Sequence, residues 1–499
     1  IIPENATIRA SNSYLYTDPD DPNSLPMTVL PQGGILYHSL YSLNQYDLRL
    51  LAQYNKEFNG THLLNVMGGF EVGQIDRHTE SFTGFGISYE NGNIPFTDWH
   101  YFKEMSEKNG AYFADEWTHS RSLAYVGTAS YAFKNRYVFS GTYRYEGSNK
   151  LGKTRQSRWL PTWNVSGAWN IDNESWFQNP VLATAKFRAS YSLTADGGPS
   201  YVSNAQAIYY PSRPWRQDTE AHELGIELSE LANTNLTYEK KHELDFGVDL
   251  GFLNNRINFT ADWYKRDNFD LIGYVFTEGA GGAIRKWANS ANLAAHGVEF
   301  TLTTHNIQGR DFSWTTDLTF SYVKNKITKL NSRSRVIDLV QGVGYPIEGY
   351  PVRAIFSIPF AGLTEDGLPQ IINERGEVTT WDINFQDFEN LDFLKYEGPV
   401  DPPYTGGFGN NFRWKGFHLN VFMTYAFGNK IRLDPVFAAS YSDLTSMPKE
   451  CMNRWTKPGD EKYTSIPAIA SLRQYHNETK IAYCYNAYNY STARIANGD

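Results

Sequence analysis

Nowhere does this sequence approach the ~18 consecutive apolar residues that a membrane-crossing helix requires, and its mean hydropathy is −0.50. Helical membrane spans are therefore excluded. Cysteine is nearly absent: Cys451 and Cys484 are the two among 499 residues. Two thiols make no thiolate metal motif; a disulfide between them, across roughly 30 residues, stands level with two free thiols. No run of Lys or Arg interrupts a formal charge of −9, which argues against a nucleic-acid partner, because phosphate binding needs clustered cations. The chain opens on Ile1-Ile2-Pro3-Glu4 with neither an initiator Met nor an export signal. That beginning leads us to expect a piece of a larger secreted precursor.

Catalytic constellations are missing as well. The eleven His are scattered and form no HExxH pair, and neither a GxSxG elbow nor a glycine-rich phosphate loop occurs. Asp245 and Asp249 share one face of a strand, but two carboxylates alone do not make a glycosidase, which needs them to flank a sugar. Hydrated lining charges are the stronger reading, and an enzyme is not expected. The segment Asp18-Pro19-Asp20-Asp21-Pro22 carries the hard oxygen ligands that calcium prefers. A structural calcium on Asp18, Asp20 and Asp21 is the weaker reading there, a solvated Pro/Asp turn the stronger. No other metal or cofactor is expected.

What the sequence has in excess is aromatics, 15% of residues, with 34 Tyr, 30 Phe and 13 Trp. They recur with period two. Between residues 119 and 169, Leu123, Tyr125, Gly127, Ala129, Tyr131 and Phe133 alternate with Ser122, Ala124, Val126, Thr128, Ser130 and Ala132. A tight Lys134-Asn135-Arg136 link follows, then Tyr137, Phe139, Gly141, Tyr143 and Tyr145 against Val138, Ser140, Thr142, Arg144 and Glu146. Trp163, Val165, Gly167 and Trp169 repeat the pattern. Apolar and aromatic side chains on one face, with small polar ones on the other, are what a strand needs between lipid and a wet lumen. Similar pairs run from Tyr46 to Val72, from Leu244 to Trp263, from Val298 to Tyr322 and from Phe408 to Tyr425, with Ala6–Tyr16 as a further candidate strand.

Loop lengths sort by end. Lys134-Asn135, Asn254-Asn255 and Lys415-Gly416 are tight, whereas residues 79–120 and 196–235 form long loops, residues 330–400 are irregular, and residues 429–499 form a long extracellular loop region. Short periplasmic turns and long external loops belong to outer-membrane barrels. The fold class expected is all-β: a transmembrane, antiparallel up-and-down β-barrel, with roughly fourteen strands in residues 1–499. A barrel must close to leave no edge in lipid, so further strands are expected outside this chain.

Ordered stretches along the chain resemble the SusC-like TonB-dependent transporters of Bacteroidetes outer membranes. They run from Asn135-Arg136-Tyr137 and Tyr143-Arg144-Tyr145-Glu146-Gly147-Ser148, through Lys186-Phe187-Arg188-Ala189-Ser190-Tyr191 and Asp262-Trp263-Tyr264, to Gly406-Gly407-Phe408 and Arg454-Trp455-Thr456-Lys457-Pro458-Gly459-Asp460. The resemblance covers approximately residues 35–499. It implies part of a barrel of about 22 strands, embedded as a multi-pass protein in a Gram-negative outer membrane. It further implies uptake of oligomeric nutrients, glycans or oligopeptides, with a SusD-like surface lipoprotein as lid, TonB acting through a plug that has no counterpart here, and dimers of transporter–lipoprotein pairs. A siderophore or cobalamin receptor without the lipoprotein, and a β-rich surface adhesin that transports nothing, are the alternatives.

Glycan and peptide ligands both call for aromatics beside hydrogen-bonding groups. Two loops have that chemistry: Trp99-His100-Tyr101, and Tyr209-Tyr210-Pro211-Ser212-Arg213-Pro214-Trp215. Trp99, Tyr101, Tyr209, Tyr210, Arg213 and Trp215 are the candidate substrate-binding residues. Packing between loops, or against the lipoprotein, is the competing role for each.

Overall fold

Three hairpin ends show how the chain is reversed. In the computed structural model the amide of Thr61 donates to Phe58 O at 3.1 Å, that of Arg136 to Phe133 O at 2.9 Å and that of Arg256 to Leu253 O at 3.3 Å. The two residues enclosed each time have positive φ: 52° and 64° at Asn59 and Gly60, 53° at both Lys134 and Asn135, 57° and 61° at Asn254 and Asn255. These are type I′ turns, whose twist matches that of the strands they join. Asn and Gly tolerate this backbone, which is why they hold five of the six positions, Lys134 being the exception. The structure describes residues 7–10, 14–18, 20–30, 33–87, 99–100, 113–198, 207–212, 225–276, 285–342, 344–435, 448–469 and 479–498.

Twelve strands form one antiparallel meander: β1 (Gly34–Phe58), β2 (His62–Ile87), β3 (Phe113–Phe133), β4 (Tyr137–Ser148), β5 (Trp159–Asn170), β6 (Leu182–Asp196), β7 (Glu239–Phe252), β8 (Ile257–Phe276), β9 (Arg285–Gln308), β10 (Phe312–Leu330), β11 (Tyr404–Trp414) and β12 (Phe417–Phe427). Each pairs with its neighbours in sequence, so the sheet order is the chain order. Among the described residues β1 pairs only with β2, and β12 only with β11, leaving the sheet open at those two strands.

Register keeps like with like. Phe246, Trp263, Val298, Tyr322, Tyr404 and Phe427 are successive cross-strand partners from β7 to β12. Their rings touch: Phe246 stacks on Trp263 at 6.0 Å and Tyr404 on Phe427 at 4.9 Å between centroids. A one-residue slip would turn the whole row to the other face. Phe246 and Trp263 are each 39% exposed, Phe139 60% and Met423 55%. So much exposed apolar surface on one continuous sheet is a liability in water and ordinary in hydrocarbon.

The largest buried cluster lies away from the sheet. It joins α1 (Val336–Val340) and α2 (Thr479–Asn489) through Val336, Leu339, Val340, Phe356, Ile358, Ile371 and Ala487. Around it sit short strand pairs, Ala354–Ser357 with Lys395–Pro399 and Phe360–Leu363 with Pro369–Ile372. Lys430–Arg432 pairs with Ile495–Asn497. The connection between β10 and β11 and the segment after β12 thus build one folded unit at the loop end.

Several expectations are corrected. The strand expected over Ala6–Tyr16 is not seen among its described residues: Thr7–Ala10 is a 3-10 turn, and there Leu15–Tyr16 pairs with Met27–Thr28 alone. Ile8, Tyr14 and Tyr16 pack instead on Val29, Leu30 and Phe85, because this segment has too short an alternation to span lipid. Residues 79–120 are not all loop, since β2 runs on to Ile87 and β3 starts at Phe113. Both extensions have polar side chains on the two faces, which erases the apolar period while the backbone ladder continues. The irregular segment of residues 330–400 and the tail after residue 429 hold the compact unit described above.

Candidate functional site: the polar lining and the loop end

The face opposite the aromatic rows carries charges, and register converts them into networks. Glu71 of β2 is shared by Arg49 of β1 and Arg144 of β4; Arg144 Nη1 lies 2.5 Å from Glu71 Oε2, and its Nε donates to Glu146 at 2.7 Å. Arg144, itself opposite Val126, reaches Glu71 diagonally across β3, past Ala124, which stands opposite Glu71 and is too small to obstruct. A polar recess of about 390 Å³ results, its lining including Asp47, Arg49, Glu71, Gly73, Ser122 and Arg144.

Further along, Arg188 of β6 holds Asp249 of β7 and Asp262 of β8, each at 2.9 Å, and Thr260 donates to Asp249 at 3.1 Å. Glu243 takes Lys241 at 2.6 Å and Arg266 at 3.0 Å. Asp249 is thus paired with Arg188 and held by Thr260. Among the described residues no group of three His, Cys, Asp or Glu is placed to hold a metal ion. The lining is a wet wall of paired charges, suited to passing or seating a polar solute.

Above the apolar rows, the outward face changes character. Asp76 accepts from His119 and from Arg121, each at 2.7 Å, and His78 pairs with Asp115 at 2.6 Å. The His78 and Trp117 rings stack at 4.0 Å. These residues continue the parity of Phe70 and Val72, so here the wall of the sheet has left the lipid. At the turn end, buried Glu174 accepts from Tyr137 at 2.6 Å, Trp169 at 3.1 Å and Arg136 at 3.0 Å. Chiefly the Tyr137 hydroxyl, helped by Trp169 and Arg136, holds the Glu174 carboxyl below its ordinary range.

Of the six binding candidates, two have described side chains. Trp99 is exposed and meets His100 and, edge-on, Tyr16. Tyr209 is exposed on a hairpin in which Ile208–Ser212 pairs with Gly225–Glu230; Tyr210 lies beside it, opposite Glu227. Tyr101, Arg213 and Trp215, and the Tyr210 side chain, lie outside the described residues. At the Pro/Asp turn, Asp18 Oδ1 accepts from the Asp20 amide and Asp21 Oδ1 from the Asn23 amide. Two of the three carboxylates in the calcium reading therefore serve the turn.

The loop unit has its own polar centre. Arg494, 2% exposed, forks onto Glu450 with contacts of 2.8 and 2.7 Å and reaches Asp434 O at 2.5 Å. That pairing holds the Glu450 carboxyl below its ordinary range. No bridge joins Cys451 and Cys484, both of which are buried, and burial pushes the Cys484 thiol up to about 12. The inward positions of Arg144, Arg188, Asp245 and Asp249 were readable from alternation. Which carboxylate meets which guanidinium was not, because that depends on register.

A meandering sheet with an apolar aromatic face, a charged opposite face, tight turns at one end and elaborate loops at the other defines a transmembrane β-barrel of the outer membrane. The chain belongs to the TonB-dependent receptor-like β-barrel family, whose model matches residues 4–435. TonB-dependent receptor P3 of Formosa agariphila is 25% identical over 485 residues, covering 90% of this chain and 45% of that protein. TonB-dependent receptor SusC of Bacteroides thetaiotaomicron is 29% identical over 223 residues, 43% of this chain and 21% of that one. Among solved structures, that of the RagAB peptide transporter superposes with a TM-score of 0.73 at 19% identity, over 92% of this chain and 48% of that one. The chain spans less than half the length of these relatives. The expected likeness to SusC-like transporters therefore holds.

Proposed function

We propose that this barrel takes part in TonB-dependent import of oligomeric nutrients, oligopeptides or glycans, beneath a SusD-like surface lipoprotein. The observation that carries this reading is the asymmetry of the sheet. Its turn end is closed by tight hairpins, while its loop end bears a separately cored unit and exposed aromatics such as Trp99 and Tyr209. A small chelate needs no such platform; a flexible oligomer held by many modest contacts does. The solved relatives described as a peptide transporter and a peptide importer lend weight to a peptide, and the charge-paired lining accommodates peptide backbone as readily as sugar hydroxyls.

In the membrane both edge strands require partners, since an unpaired edge in hydrocarbon leaves amides and carbonyls unsatisfied. Those strands, the plug and the TonB contact belong to the whole transporter in this proposal. The test is affinity purification of the intact protein from its native outer membrane, followed by uptake of labelled oligopeptides and oligosaccharides in cells with and without the gene. Co-purification of a lipoprotein and loss of one uptake class are the expected results. Loss of iron-siderophore uptake, with no lipoprotein attached, would replace this reading by that of a siderophore receptor.

A further inference from the structure

The apolar face of β2–β5 has a groove in it. Its volume is about 480 Å³, and its lining includes Val66, Gly127, Ala129, Gly141, Tyr143, Trp163 and Val165. Register explains the dent: Gly127 sits opposite Tyr143, Ala129 opposite Gly141, Gly141 opposite Val165 and Tyr143 opposite Trp163. A Cβ placed on Gly127 would meet nothing within 4 Å, and one on Gly141 only the Asn164 carbonyl at 3.9 Å. The missing side chains are therefore not forced by crowding. On the same face Tyr125 (52% exposed), Tyr143 (50%) and Phe139 (60%) stand up as walls. Thr128 and Thr142, hydrogen-bonded at 3.5 Å on the opposite face, lie behind the floor.

Position decides what fills it. The apolar run of β3, from Leu123 to Tyr131, covers about 26 Å of strand, comparable to the apolar band of about 25 Å of outer-membrane barrels. Gly127 is its central member. At that depth the surrounding medium is hydrocarbon; water does not enter a dry apolar cavity, and an unfilled one forfeits dispersion contacts along its walls. The groove is continuous with the lipid-facing surface of the barrel.

We propose that this groove is a binding site for one acyl chain of an outer-membrane lipid, seated on Gly127, Ala129 and Gly141 and flanked by Tyr143 and Trp163. It rests on membership of the outer-membrane barrel family and is independent of which solute is carried.

The test uses the intact protein extracted from the outer membrane in mild detergent. Native mass spectrometry counts retained lipids on the wild type and on Gly127→Leu/Gly141→Leu, whose side chains fill the groove. Folding of both is checked by heat-dependent gel mobility. The variant is expected to retain one diacyl lipid fewer, with binding of added phosphatidylglycerol weakened about tenfold or more. A measurement without the filling variant uses vesicles of phosphatidylglycerol brominated at mid-chain. Quenching of tryptophan emission should fall in Trp163→Phe, because Trp163 lines the groove. Equal lipid retention by wild type and filled variant, or unchanged quenching in Trp163→Phe, overturns the proposal. So does a filled variant that keeps its lipids but loses self-association, which would make the groove a contact between copies.

Discussion

Arg494 and Glu450 meet as a two-pronged pair inside the loop unit, with Arg494 almost wholly buried and Glu450 about a third exposed (side-chain exposure 2% and 35%). The two ends are not equivalent. Glu450→Gln leaves a buried guanidinium without a countercharge, whereas Arg494→Met leaves a carboxylate that can still reach water. Glu450→Gln is therefore expected to destabilise the unit by about 3 kcal/mol, and Arg494→Met by less. Hydrogen exchange of the amides between residues 450 and 498 measures both; equal losses would show that burial does not govern the pair.

The same pair sets a pH dependence. Glu450 is held below its ordinary range by Arg494, so its contribution is fully present above the unfolded value of about 4.3. It is lost as pH falls through the lower folded value. Protection of this unit should be level at neutral pH and decline under acid, and Glu450→Gln should flatten that decline. Protection that instead falls as pH rises would contradict the assignment.

Gly147 of β4 lies directly opposite Trp159 of β5, and a Cβ there would come within 2.6 Å of the indole. Gly147→Val should cost about 1–3 kcal/mol through overpacking. Because the crowding is with the side chain alone, Trp159→Ala should recover most of the loss in the double variant. Urea unfolding of the barrel in lipid reads the cycle, and simple additivity would place the strain elsewhere.

The two cysteines should behave as buried, unbridged thiols. Cys484, pushed up to about 12 by burial, offers almost no thiolate at neutral pH, and Cys451 is also raised by burial. Neither should take up iodoacetamide until the loop unit is unfolded, and reduction should leave gel mobility unchanged. Mass spectrometry of a peptide carrying a Cys451–Cys484 bridge would refute this.

Alternation made most of the sheet legible. Leu123 to Phe133, Tyr137 to Tyr145 and Trp163 to Trp169 announce strands because period-two side chains have to choose between lipid and lumen. The same signal fails where both sides are wet. Asp76, His78, Trp117 and His119 continue β2 and β3 beyond the apolar rows, yet on composition alone they look like loop. Tyr209 and Tyr210 stand in the connection between β6 and β7, where alternation carried no sign of the hairpin that holds them.

Composition, period and turn residues thus determined by themselves that this is a barrel wall, which face meets lipid, and which end is closed by tight turns. These follow from local rules: strands alternate, and Asn and Gly accept left-handed backbone at Asn59-Gly60 and Asn254-Asn255. Tertiary structure alone decided that Arg144 reaches over Ala124 to Glu71, that Arg188 unites Asp249 with Asp262, and that a tail without alternation buries Arg494 against Glu450. Each joins residues far apart in sequence, and their proximity depends on register and packing that no local pattern encodes.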